Sequence, residues 1–333
     1  MGLKSKILGR VFQDNCLYVV LDSGCGQTRF LFDCGMSCLD FLGRKDIQKI
    51  DHLCFSHFHF DHIGGFDHFL RFNFHRGPVP VQLFGPPGAI DILQHRLQGF
   101  VWNLVEDSPG IMSVSEISEN SCKKSDFYVR EGYKVRHNQN ETGQAGVIRE
   151  NDEFSLEVYF LDHIIPSVAY KLTHKAHPLV DAKAVEAMGL TKGPWLKDLK
   201  NPKVPDHAEF ILDGRRYTAG TLRSTILRLS PKESLAYLTD FRLAPDQLQP
   251  LAHWLRGTDQ LYCESHFLGR DSQMAWNKGH MTAAASATLA AEAKVGRLEL
   301  FHLSERYREA ELPVFLEEAK TIFPNTHIAG YEQ

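Results

Sequence analysis

Residues 56–65 have the sequence Ser-His-Phe-His-Phe-Asp-His-Ile-Gly-Gly and directly follow an apolar run. Because side chains alternate along an extended chain, His57 and His59 point to the same side. Asp61 and His62 follow where the chain turns into a helix, so they can face a neighbouring position. Two imidazoles at one position, with a carboxylate and an imidazole at the next, suit borderline cations such as zinc. The segment therefore predicts a metal site with two positions.

Three further side chains of ligand type stand at the ends of predicted strands. His163 closes FSLEVYFLDH, Asp240 closes SLAYLTD, and His302 lies in LELFHLS. Functional residues of layered α/β proteins gather at the carboxyl ends of strands. Together with the first motif, these residues complete the shells of two metals, and a carboxylate such as Asp240 can bridge both.

Strands that run into loops and then helices recur along the chain and predict a layered α/β fold. A short loop at Ile164–Pro166 is expected between two strands. The predicted helices are IGGFDHFLRF (63–72), AIDILQHRLQGF (89–100), PDQLQPLAHWL (245–255), TAAASATLAAEAK (282–294) and EAELPVFLEEAKTIF (309–323).

Composition bounds the class of protein. The 333 residues are 43% hydrophobic and 23% charged, which is globular composition within reach of one large domain. No run of about 18 apolar residues suggests a membrane span. The first fifteen residues lack the features of a signal peptide, so we expect a cytoplasmic protein. Seven scattered cysteines favour reduced thiols rather than a zinc ribbon.

One segment is basic in a chain whose net charge is −4. From Lys171 to Lys203 there are seven lysines and three acidic residues, a local excess of +4. The part at about 173–205 is rich in Lys, Pro and Gly, and we expect it to project from the main domain as an arm. Basic residues on a mobile arm can hold an RNA backbone. A solvated loop with ordinary lysines is the alternative interpretation.

The metal-ligand pattern matches a known family. HFHFDHIGG, with His163, Asp240 and His302 downstream in that order, resembles the metallo-β-lactamase superfamily over nearly the whole chain. The resemblance implies an α/β fold, a four-layer αββα sandwich, formed by a single domain over 1–333 with the inserted flexible arm. It also implies a first metal bound by His57, His59 and His163, a second bound by Asp61, His62 and His302, and Asp240 as the bridge between them.

Other segments resemble one branch of that superfamily. FLFDCG, GHMTAAASA and LELFHLSERY are similar to ribonuclease Z, the tRNA 3′-processing endonuclease. VDAKAVEAMGLTKGPWLKDLK resembles the flexible arm that grips the tRNA body in that family. This resemblance implies precursor tRNA as the RNA partner and a homodimeric enzyme.

The expected chemistry is hydrolysis of a phosphodiester bond. Two divalent ions about 3.5 Å apart lower the pKa of a bridging water and clamp the oxygens of an in-line displacement. The metal-bridged hydroxide is the expected nucleophile, with Asp61 as ligand and proton acceptor. His280 is the candidate general acid for the leaving 3′ oxygen, and Glu264 would orient it. Zinc is the expected metal, although histidine and aspartate ligands also accept manganese or iron.

The chain departs from the ribonuclease Z pattern at two places. It lacks the Gly-rich loop and the Pro-x-Lys-x-Arg-Asn stretch of the family, and the family's His-Glu-Ala-Thr segment is Cys263–His266 here. A second hypothesis keeps the metal site but assigns it a small phosphodiester such as a cyclic nucleotide. Thioester or lactam hydrolysis is a third, and a non-enzymatic binding subunit a fourth. No ligand type is missing from the pattern, which disfavours the last.

Overall fold

The structure is a computed structural model and describes residues 2–24, 26–139 and 146–331. The chain forms two compact units. One comprises the residues up to His174 together with those from Glu233 onward, and the other comprises Lys175–Lys232. Of the seven cysteines, Cys25 lies outside the described residues.

The strands are numbered in chain order. They are β1 (Gly2–Leu8), β2 (Cys16–Asp22), β3 (Gln27–Phe32), β4 (His52–Cys54), β5 (Val81–Gly85), β6 (Ile111–Ile117), β7 (Cys122–Tyr128), β8 (His137–Asn138), β9 (Val147–Glu150), β10 (Phe154–His163), β11 (Ile165–His174), β12 (Pro178–Val180), β13 (Glu209–Leu212), β14 (Arg215–Thr218), β15 (Leu227–Leu229), β16 (Glu233–Leu238), β17 (Gln260–Glu264), β18 (Arg297–Phe301) and β19 (Thr326–Ile328).

The α-helices follow the same numbering. They are α1 (Arg44–Ile47), α2 (Phe60–Ile63), α3 (Phe66–Asn73), α4 (Ala89–Leu97), α5 (Ala182–Ala187), α6 (Trp195–Lys200), α7 (Ala219–Ile226), α8 (Leu248–Leu255), α9 (Ser272–Lys278), α10 (Ala283–Ala293) and α11 (Leu312–Lys320). The five helices predicted from the sequence correspond to α3, α4, α8, α10 and α11, and are confirmed.

The first sheet contains β1 to β8 in sequential order. Its central strands β3, β4, β5 and β6 are parallel neighbours, so their carboxyl ends meet at one edge. This edge receives the 56–65 segment, because that segment follows β4 directly.

The second sheet has the order β19-β18-β17-β16-β11-β10-β9. Strands β16 to β19 are parallel, whereas β10 and β11 form an antiparallel hairpin in which His163 pairs with Ile165. The turn therefore consists of Ile164 alone, with φ at 66°. The two strands predicted on either side of a short loop are confirmed, but the loop predicted at Ile164–Pro166 is too long, because Pro166 pairs with Asp162 inside the hairpin.

Three apolar clusters stack the main unit into four layers. Phe66, Phe69 and Leu93 belong to the cluster that packs α3 and α4 on the outer face of the first sheet. A second cluster, which includes Phe30 and Tyr170, fills the space between the sheets. A third packs α8, α10 and α11 on the outer face of the second sheet. Burial of apolar surface drives this arrangement, and the expected αββα sandwich is confirmed.

The unit Lys175–Lys232 has a small core of its own. Val185, Leu199, Leu222 and Ile226 are buried together, where α5, α6 and α7 meet. Two short sheets, β12 with β15 and β13 with β14, complete the unit. The unit extends well past residue 205, the end of the arm predicted from the sequence.

The helices described by the structure are short or polar. Within residues 2–24, 26–139 and 146–331, none has the length and apolarity that crossing a membrane requires.

Candidate active site

The predicted metal ligands converge at one edge of the two sheets. His163 is the last residue of β10, His302 directly follows β18, and Asp240 comes two residues after β16. Their potential ligand atoms fall into two groups, and within each group all atoms lie within 4.8 Å of one another. The first group is His57, His59, His163 and Asp240, and the second is Asp61, His62, Asp240 and His302.

Asp240 belongs to both groups through different oxygen atoms. Its Oδ2 lies 3.4 Å from Nε2 of His163 and 3.7 Å from Nε2 of His57. Its Oδ1 lies 3.4 Å from Nε2 of His62 and 3.2 Å from Nδ1 of His302. Burial raises the pKa of Asp240, but the charges of His302 and His62 outweigh burial and hold it well below its usual range. A buried carboxylate placed in this way can bridge two cations.

The backbone at two of these residues is strained. Asp240 and His302 have φ values of 50° and 55°, in the left-handed region that residues with a Cβ rarely adopt. Each such residue costs about 1–2 kcal/mol. Both occur within two residues of the carboxyl end of a parallel strand, where the chain leaves the sheet.

Polar partners behind the site fix the orientation of two imidazoles. Nδ1 of His62 donates to Oδ2 of Asp33 at 2.8 Å, and Nδ1 of His163 donates to the carbonyl oxygen of Gly279 at 2.8 Å. Each bond leaves Nε2 facing the site, as in metal-binding histidines. Asp33 is buried and also accepts from Tyr237 Oη at 2.9 Å and from Ser56 Oγ at 2.7 Å. Asp33 was not predicted from the sequence, although its place directly after β3 on the same edge is a usable signal.

The chemistry of the donor atoms fits divalent metal ions. Among the described residues, Nε2 of His57, Nε2 of His62 and Nδ1 of His302 are buried atoms without a hydrogen-bond partner. Such orphans are rare in proteins, and a cluster of them indicates a site for an ion. Burial, and then the charge of His62, lower the pKa of His57 to about 2. His57 is therefore neutral, which is the form that binds a metal.

His280 and Glu264 form a hydrogen-bonded pair beside the second group. Nδ1 of His280 donates to Oε2 of Glu264 at 2.8 Å, and Glu264 is completely buried. Burial lowers the pKa of His280, but the negative charge of Glu264 outweighs it and raises the pKa above its ordinary value. The pair can therefore hold a proton at the edge of the site.

His266 is a residue of the site that was not predicted. Its ring stacks on His280 with centroids 4.1 Å apart and planes 13° apart, and its Nδ1 donates to the carbonyl oxygen of His302 at 2.9 Å. The signal in the sequence is its position in the Cys263–His266 segment. Its contacts place it against the proton-holding pair.

Two helix layers around two sheets, with histidine and aspartate side chains at the strand ends, define the metallo-β-lactamase fold. Comparison with solved structures agrees. The Bacillus subtilis metallo-β-lactamase fold protein YhfI matches with a TM-score of 0.56 and 15% identity, covering 99% of this chain and 97% of that one. The short form of human tRNase Z matches with a TM-score of 0.52 and 18% identity, covering 92% and 94%.

Sequence comparison narrows the class further. Ribonuclease Z of Deinococcus radiodurans is 39% identical over 327 residues, 98% of each chain. The chain therefore belongs to the ribonuclease Z family. Its residues 2–172 also match the family model described as anti-Pycsar protein Apyc1.

Proposed function

We propose that this chain is a metal-dependent endoribonuclease that hydrolyses a phosphodiester bond during maturation of the 3′ end of tRNA. The supporting observation is the joint presence of a carboxylate shared by two histidine groups and the adjacent His280–Glu264 pair. The 39% identity to a ribonuclease Z over nearly the whole chain gives the substrate class.

The proposed ligands follow the two groups. His57, His59 and His163 would hold one ion, Asp61, His62 and His302 would hold the other, and Asp240 would touch both. Zinc suits this mixture of imidazole and carboxylate, and manganese or iron are the alternatives to be measured. When bound, two divalent ions increase the acidity of water and neutralise charge that builds up on a phosphate.

The protein side chains supply the proton transfers. His280, held protonated by Glu264, would give its proton to the 3′ oxygen that leaves. Asp61 is half-exposed, with Oδ2 at 3.3 Å from Nε2 of His62 and 3.5 Å from Nε2 of His302. We propose that Asp61 would help to hold the second ion and would accept a proton from the attacking water.

The unit Lys175–Lys232 is the proposed RNA grip and contains most of the arm predicted at about 173–205. It has eleven Lys and Arg residues and six Asp and Glu residues, whereas the whole chain is net negative. An RNA backbone offers phosphates at every nucleotide, so a basic unit gains affinity that falls as salt rises. Precursor tRNA is the proposed partner.

We also propose a homodimer in the cytoplasm. The dimer follows from the resemblance to ribonuclease Z, and light scattering of the purified protein measures it directly. Five of the described cysteines are buried free thiols, which is typical of proteins in a reducing compartment; they are Cys16, Cys34, Cys38, Cys54 and Cys263.

The deciding experiment pairs two substrates with a metal measurement on the same sample. Wild-type protein is incubated with precursor tRNA that carries a 3′ trailer and with bis(p-nitrophenyl) phosphate. We expect cleavage at the 3′ side of the tRNA, hydrolysis of the ester, and two ions per chain. Turnover of the ester without any RNA cleavage would contradict the proposal and favour a small phosphodiester, such as a cyclic nucleotide, as the substrate.

A further inference from the structure

A cavity of about 760 Å³ lies at the sheet edge that carries the candidate active site, and none of the proposed catalytic steps uses it. Four segments form its walls. They are Pro87 after β5, the turn Ser118–Ser121 between β6 and β7, the tip of the β10–β11 hairpin, and Gln247 directly before α8. The volume is within the range of small-molecule sites in proteins.

The cavity lies close to the metal ligands. Strands β4, β5 and β6 are consecutive parallel neighbours, and β4 leads into His57 whereas β6 leads into Ser118. The carboxyl ends of β4 and β6 are therefore separated by two strand spacings, about 10 Å. The hairpin gives a second connection, because its residue Ile164 lines the cavity and directly follows His163.

The hairpin tip has an unusual conformation. Ile164 is β-branched, has φ at 66°, and is 64% exposed. Its backbone N–H donates to Oδ1 of Asp162 at 2.9 Å, which holds the turn. Strained backbone beside an active site is commonly kept for function, and here it presents an apolar side chain to the cavity.

The lining does not suit a phosphate group. No lysine or arginine belongs to the described residues that line the cavity, and Glu119 and Asp162 do. Asp162 already pairs with Nε of Arg242 at 2.8 Å. An anion in this cavity would meet carboxylates without a lining cation to balance it.

The lining does suit a flat, neutral ring with polar edges. The amides of Asn120 and Gln247 can each donate and accept hydrogen bonds, and the hydroxyl of Ser121 can do the same. Ile164 and Ile165, 64% and 40% exposed, provide an apolar surface. Proteins that recognise single-stranded RNA combine apolar or stacking surfaces with hydrogen bonds to base edges.

We infer that this cavity is a subsite for the nucleobase of a nucleotide that flanks the scissile phosphate. The inference rests on the proposed function, because it names the part of the RNA that this edge of the site receives. The subsite would give the enzyme contact with a base in addition to the phosphate and the tRNA body.

The test uses two variants of the β6–β7 turn, which is outside the metal site. Asn120→Ala removes polar contacts, and Ser121→Trp fills the cavity. We expect kcat/KM for precursor tRNA to fall about 10-fold, the scale of one lost base contact, with hydrolysis of bis(p-nitrophenyl) phosphate within twofold of wild type. Asn103→Ala is the matched control, since Asn103 is exposed and is not among the lining residues.

An abasic substrate identifies the occupant. Precursor tRNA is prepared with one base removed on the 5′ or the 3′ side of the cleavage position. We expect wild-type protein to cut one of these abasic substrates as slowly as the Asn120→Ala variant cuts intact RNA. The variant should cut that same abasic substrate no more slowly, because the contact is already lost. Three results for the Asn120→Ala variant would each overturn the subsite. They are a loss that adds to the loss on both abasic substrates, a wild-type rate on intact RNA, and an equal loss of ester hydrolysis. Wild-type protein that cuts the ester but no RNA would overturn the proposed function itself, and the subsite with it.

Discussion

At the scale of single residues, Asp240 is the side chain that joins the two ligand groups. Its two oxygens face different histidines, so Asp240→Ala removes a contact from both groups at once. We predict near-complete loss of both ions and of activity, measured as metal per chain by mass spectrometry. Asp107→Ala is the control, because this exposed carboxylate belongs to neither group and is not among the residues that line the cavity. Retention of two ions by Asp240→Ala would be inconsistent with a bridging role.

His280 should separate metal binding from proton transfer. We predict that His280→Ala keeps both ions and cleaves precursor tRNA about 10²-fold more slowly, the usual scale for loss of a general acid. Hydrolysis of bis(p-nitrophenyl) phosphate should fall much less, since its leaving group departs readily without a proton. Loss of metal from this variant would show that the assignment of His280 as acid is wrong.

Asp33 does not belong to either ligand group, but its hydrogen bond to His62 should affect the affinity for the second ion. Removing it leaves the Nδ1–H of His62 and the hydroxyl of Tyr237 without their acceptor. We predict that Asp33→Ala weakens affinity for the second ion 10- to 100-fold, roughly the cost of losing such partners, measured by competition with a chelator. Tyr237→Phe is the control: it removes one donor to Asp33, so affinity should stay near that of wild type. Equal affinities in Asp33→Ala and wild type would refute the role.

At the scale of elements, the turn between α9 and α10 supports the first ligand group. Gly279 has φ at 76°, and a Cβ there would lie 2.9 Å from Nδ1 of His163. We predict that Gly279→Ala displaces His163 and lowers metal content and activity. Gly257→Ala is a matched control, because Gly257 also has a positive φ, 69°, but its Cβ would meet nothing within 4 Å. Wild-type metal content in Gly279→Ala would contradict the predicted clash with His163, and Gly257→Ala should keep wild-type metal content.

Elements with a strong apolar period were predictable from the sequence, whereas the hairpin tip was not. Helices such as α3 and α11 bury one face on a sheet, and that face repeats in the sequence. The predicted loop extended to Pro166, and proline lacks the N–H that a ladder hydrogen bond would use. Strand β16 pairs with β11 only from Tyr170 onward, so no ladder bond on that side requires an N–H from Pro166. Whether a strand has a hydrogen-bonded neighbour at a given residue depends on the tertiary fold, so the sequence alone does not indicate it.

At the scale of the whole molecule, the site gathers residues that are far apart in sequence. The seven predicted ligands could be found because each has a ligand-type side chain at the end of a strand or in the segment that follows it, where α/β proteins gather functional residues. His266 and Tyr237 gave weaker signals, since their roles depend on stacking with His280 and on bonding across the sandwich to Asp33. Chain position alone does not specify such contacts.

Removing the second unit tests whether it contributes to RNA cleavage but not to hydrolysis of a small ester. His174 at the end of β11 pairs with Glu233 at the start of β16, so Lys175–Lys232 can be replaced by an Asn-Gly turn that closes a β-hairpin. We predict hydrolysis of bis(p-nitrophenyl) phosphate within twofold of wild type, because all the proposed ligands remain. RNA cleavage should fall at least about 10-fold and lose most of its salt dependence, since the removed unit carries the excess of basic residues.

The double variant Lys197→Ala/Lys200→Ala, with the unit intact, should give a smaller change in the same direction. Equal loss on both substrates after the deletion would contradict the unit's role in gripping RNA.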